Sequence, residues 1–172
     1  MAIDTSVNWL IVPAAGSGRT TVVPEDAAYN YNLVSMKVSE DLAYGERRWG
    51  INLVWDDPGG AGNIRFQRPS GTNEPLKNDE LVAINVKGGG FLKYESRSVG
   101  INLGWSSKPV YEWQIKGASG DVQMPQPVQL FNTREQDYMI YGERPLGINL
   151  RWVNSAPASW TDAIDLFKKL FG

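Results

Sequence analysis

The chain has 172 residues, of which 42% are hydrophobic and 21% charged, and its formal net charge is −2. These are the proportions of one globular domain with one core, carrying too little positive charge to coat nucleic acid or anionic lipid. Neither Cys nor His occurs, which removes disulfides, the commonest metal ligands and most pairings of nucleophile with base, so neither a metal nor another cofactor is expected.

In chain order, the first 16 residues carry no basic leader, and the apolar run from Trp9 to Val12 is too short for a secretory signal or a membrane span. A cytoplasmic protein is expected, or one released without a conventional leader. Trp9 heads the first candidate strand, NWLIVP. A loop from Pro13 to Pro24 follows, and its GSGR segment has two glycines but lacks the Lys and the following helix of a phosphate-binding loop. The next apolar stretches, NLVSMKV and DLAY, alternate apolar with polar residues as strands do.

A twelve-residue string then occurs three times: YGERRWGINLVW at 44–55, YESRSVGINLGW at 94–105 and YGERPLGINLRW at 141–152. Seven of its positions are identical in all copies, as Tyr-x-x-Arg-x-x-Gly-Ile-Asn-Leu-x-Trp, and the residue before Gly is always apolar. Phe66 and Trp113 each stand 28 residues before their motif Tyr, whereas Trp9 stands 35 before its own, so the first unit has the longer loop. ELVAINV and PVQLFNT answer to NLVSMKV, and FLKY and YMIY to DLAY. Each unit therefore offers four short strands, with units over about 5–60, 61–108 and 109–153 of a single domain.

Twelve strands in three units predict an all-β fold, and closure decides which one. Open stacking of three units leaves exposed edges, and propellers need at least four blades. The expectation is a β-trefoil whose barrel joins the first and last strands of each unit, with NWLIVP completing the ring beside the third. Ile51, Leu53 and Trp55, with their counterparts Ile101, Leu103, Trp105, Ile148, Leu150 and Trp152, should form much of the core. After Trp152 the pattern changes to a helical period in Trp160, Ala163, Ile164, Phe167, Leu170 and Phe171, with Ser159 and Asp162 as a shortened capping box. A C-terminal amphipathic helix over about 159–171 is predicted, to pack on the barrel, mediate self-association or touch a membrane; two Lys against two Asp is little charge for a membrane-seeking helix.

Packing alone does not explain the repeated polar residues. Asn52, Asn102 and Asn149 share the outward strand face with the varying Val54, Gly104 and Arg151. Each Asn either ties a neighbouring loop to the backbone or lines one of three equivalent ligand sites. Arg47, Arg97 and Arg144 pose the same choice between clamping turn carbonyls and offering a fork of donors to a ligand. Tyr44, Tyr94 and Tyr141 are expected to be buried, and Gly50, Gly100 and Gly147 to serve a turn that requires a small residue or positive φ. Enzyme readings are poor, because the carboxylate pairs Asp56 and Asp57, and Glu25 and Asp26, sit in turn-rich stretches and do not recur.

The segment GINLVWDDPGGAGNIRFQ resembles the end of a ricin-B-like lectin unit, in which a strand ending in Trp and Asp leads through a Gly-rich turn to a Gln-x-Trp strand. Asn63, Arg65 and Phe66 stand where that family has Gln-x-Trp, the second unit offers Glu112 and Trp113, and no Gln-x-Trp occurs. The resemblance implies a β-trefoil lectin by architecture. Carbohydrate binding at up to three pseudo-equivalent sites built on the Asn and Arg triplets is therefore expected, with glycans or glycoconjugates as partners and multivalency as the gain. Membrane contact would then come only through glycans or the terminal helix, and self-association stays open. The alternatives are a cysteine-free protease inhibitor presenting the loop from Pro13 to Pro24, and the targeting module of a pore-forming or multi-subunit toxin.

Overall fold

The computed structural model describes residues 5–24, 28–58 and 61–154. A 3-10 turn, Thr5–Val7, precedes twelve strands. The first four are β1 (Trp9–Pro13), β2 (Tyr31–Ser35), β3 (Asp41–Tyr44) and β4 (Leu53–Asp56). The next are β5 (Ile64–Gln67), β6 (Leu81–Val86), β7 (Gly90–Lys93) and β8 (Gly104–Ser106). The last are β9 (Trp113–Lys116), β10 (Pro127–Asn132), β11 (Asp137–Tyr141) and β12 (Leu150–Val153). The predicted helix over 159–171 lies outside the described residues.

Six strands close a barrel in the order β1, β2, β5, β6, β9, β10 and back to β1, every neighbour antiparallel. The other six form the hairpins β3–β4, β7–β8 and β11–β12, attached to β2, β6 and β10 respectively. The ring thus takes the first and second strand of each unit, not the first and last as the sequence suggested. Two features account for the difference. The turn after β3 folds β4 straight back onto it, so the two pair with each other. The second strands have side chains suited to burial on both faces: all five residues of β2 are buried, including Asn32 and Ser35, and the Asn32 Oδ1 accepts from the Asn63 backbone N–H at 2.9 Å.

The barrel interior follows the two-residue period of its strands: Trp9 and Ile11 on β1, Ile64 and Phe66 on β5, Trp113 and Ile115 on β9 are all buried. The repeated Ile and Leu residues at 51, 53, 101, 103, 148 and 150 are also buried, while Trp55, Trp105 and Trp152 are only partly buried and pack against the core from outside. At the end away from the hairpins, the three long loops meet. Val22 N–H donates to Val122 O at 2.9 Å, Leu76 N–H to Val22 O at 2.7 Å, and Val122 N–H to Leu76 O at 2.7 Å. This cyclic triangle of backbone bonds carries three fully buried side chains that plug the barrel.

Candidate functional site

At the hairpin end, each repeat builds the same turn. The Asn52 Oδ1 accepts from the Arg47 backbone N–H at 2.9 Å, Asn102 from Arg97 at 2.8 Å and Asn149 from Arg144 at 2.9 Å. The same arginines return to the strand: Arg47 Nη1 reaches Leu53 O at 3.4 Å, Arg97 Nε reaches Leu103 O at 2.6 Å and Arg144 Nε reaches Leu150 O at 2.7 Å. The six residues expected to bind ligand therefore clamp their own turns, because an Asn oxygen and a guanidinium N–H can satisfy turn groups that no sheet ladder reaches. They are brought together in pairs within each hairpin.

The motif glycines adopt φ of +77°, +81° and +87° at Gly50, Gly100 and Gly147. They also converge: a Cβ on Gly100 would sit 3.2 Å from Gly50 Cα, and one on Gly147 3.1 Å from Gly100 Cα. Both handedness and close approach dictate Gly here. The residues preceding them, Trp49, Val99 and Leu146, consequently surround the point where the three turns meet. Trp49 is 44% exposed and Leu146 46%, while Val99 is half-buried.

Unit is joined to unit by rings. The motif Tyr of each hairpin meets the motif Trp of the next, as Tyr44 with Trp105 at 6.0 Å, Tyr94 with Trp152 at 6.4 Å and Tyr141 with Trp55 at 5.9 Å between centroids. The tyrosines were expected in the core; they are half-buried or, for Tyr44, 37% exposed, since their partners lie outside the barrel.

Around the first turn, Glu46, Arg47, Arg48, Trp49, Val54 and Gly147 line a depression of about 270 Å³. The Arg48 guanidinium lies over the Trp49 ring, 5.4 Å from its centroid, so its donors stand against one face of the indole. A second depression, of about 230 Å³ between Ser119 and Gln126, has no aromatic lining and no surface for stacking. Sequence reading passed over Glu46, Arg48 and Trp49 as a group. The available signal was the one aromatic among the three residues that precede the motif Gly.

Charge differs among the hairpins. Glu95 lies 3.9 Å from Arg97 Nη2 and 3.4 Å from Lys93 Nζ. On the third hairpin, burial first and then the Arg151 guanidinium depress the pKa of Arg144.

The first-unit loop is also placed. Its tip around Ala15 and Gly16 is exposed, but Val22 and Val23 are buried, and Tyr31 Oη both accepts from Val23 N–H at 2.7 Å and donates to Val23 O at 2.9 Å. The last three residues of the loop offered as an inhibitor segment, Val22 to Pro24, are buried at the barrel end.

Among the described residues, no group of three or more His, Cys, Asp or Glu is arranged to hold a metal ion, and no helix is long and apolar enough to cross a membrane. Comparison with protein-family models, with curated proteins and with solved structures gives no match for this chain.

Proposed function

We propose that the chain is a β-trefoil lectin that acts by binding glycans, without catalysis. The fold assignment is supported by two barrel strands and one hairpin per sequence repeat, with the three turns meeting at one point. The observation that carries the function is the exposed Trp49 at the mouth of the depression lined by Glu46, Arg47 and Arg48. An indole surface takes the apolar face of a pyranose, and planar guanidinium and carboxylate groups beside it bond the hydroxyls.

This reading moves recognition from three Asn and Arg pairs to the first turn alone, where Arg47 lines the depression with Glu46, Arg48 and Trp49. Val99 and Leu146 give the other two turns no aromatic platform, so one principal site takes the place of three equivalent ones.

The test is a glycan array followed by calorimetric titration of any glycan retained. Trp49→Ala should weaken binding about tenfold or more, the equivalent of about 1.4 kcal/mol, and leave the melting temperature close to wild type because the ring is half-exposed. Unchanged affinity in Trp49→Ala, or a wild-type protein that retains no glycan, rejects the reading.

A further inference from the structure

The three hairpins share a frame but not a charge. Across each one, just below the turn, a Gly faces a larger residue: Gly45 faces Val54, Gly104 faces Glu95 and Gly142 faces Arg151. Beside the repeated arginine this displays a neutral, an acidic and a basic side chain in turn. In the second hairpin, Glu95 pairs with Arg97 and Lys93. In the third, a second guanidinium takes that place.

The two guanidiniums of the third hairpin are held reciprocally. Arg144 Nε donates to the Leu150 carbonyl at 2.7 Å, and Arg151 Nε and Nη2 donate to the Glu143 carbonyl at 2.9 and 2.6 Å. Each is anchored to the carbonyl of the residue preceding the other, so two cations are fixed on one hairpin by neutral acceptors. Among the described residues neither makes an ion pair, and the exposed Glu143 carboxylate bonds to neither. Both Nη groups of Arg144 and Nη1 of Arg151 keep donors unused by these anchors.

We propose that Arg144 and Arg151 form an oxyanion site that takes the sulfate or carboxylate group of an acidic glycan. An oxyanion relieves the repulsion between the two guanidiniums and accepts from both pre-positioned forks. The glycan as carrier rests on the lectin reading; the oxyanion site stands without it.

The protein is titrated with inorganic sulfate while the arginine Nε–H resonances are followed by NMR, and with dextran sulfate and unmodified dextran by calorimetry. Sulfate should shift the Arg144 and Arg151 signals and leave that of Arg97 in place. Arg151→Val recreates the Gly and Val pair of the first hairpin and so keeps the fold; it should weaken dextran sulfate binding about tenfold. Lys37→Ala, which removes the same charge from an exposed position elsewhere, should leave that affinity unchanged. Combining Glu95→Gly with Gly104→Arg should bring Arg97 into the sulfate response. The site is overturned if sulfate leaves the Arg144 and Arg151 signals unmoved, or if Lys37→Ala costs as much as Arg151→Val. Sulfate shifts without dextran sulfate binding overturn the glycan as carrier. Loss of the Trp49 function alone leaves these results unaffected, which separates the two readings.

Discussion

Asn102 shows how one side chain can be spent on architecture. Its Oδ1 accepts the Arg97 N–H at 2.8 Å, and its backbone carbonyl accepts the Trp152 indole N–H at 3.2 Å, so it ties both its own turn and the next unit. Asn102→Ala leaves the Arg97 N–H without its partner and should cost about 1–2 kcal/mol in urea unfolding, with ligand affinity retained. Loss of affinity at unchanged stability would return the Asn triplet to the binding site. Buried charge is handled in the same economical way: Glu112 Oε1 accepts from the Tyr94 N–H at 2.5 Å and from Asn132 Nδ2 at 3.3 Å, joining the second hairpin to the third unit.

At the scale of the element, the cross-hairpin pairs follow one steric rule. A Cβ on Gly45 would lie 2.6 Å from Val54 Cγ1, and one on Gly142 would lie 2.5 Å from Arg151 Cδ. In the second hairpin the roles are reversed, with Glu95 standing over Gly104. There is room for one side chain per pair, whichever strand supplies it. Gly45→Glu alone should therefore cost about 1–3 kcal/mol by overpacking, and adding Val54→Gly should restore most of the loss, a coupling readable in a double-mutant cycle. Simple additivity of the two changes would contradict the rule. The varying motif position at 54, 104 and 151 is thus constrained by its neighbour across the hairpin, although along the sequence it reads as free.

At the scale of the whole molecule, the barrel is closed at both ends by contacts among the three units: the glycine convergence at one end and the Val22, Leu76 and Val122 triangle at the other. Leu76→Ala should cost about 2–5 kcal/mol, since the plug has little room to collapse. Ala15→Asp, at the exposed tip of the first loop, should stay within about 0.5 kcal/mol. Comparable losses from the two in denaturant unfolding would mean that the loops do not form the plug. By the same closure, cutting out the whole segment from Pro13 to Pro24 should remove stability along with any surface it presents.

The amino-acid sequence by itself determined the all-β class, the strands, the glycines of the turns and the six buried aliphatic residues at 51, 53, 101, 103, 148 and 150, because period and repetition are local properties of a chain. It did not reveal which strands form the ring, because pairing partners are chosen by burial on both faces and by turn geometry across the unit. The proposed site also depends on the tertiary structure. Whether Asn and Arg serve a ligand or a turn depends on where their bonding partners stand, and Trp49 becomes a candidate, and Arg151 a partner for Arg144, only once the hairpins are folded.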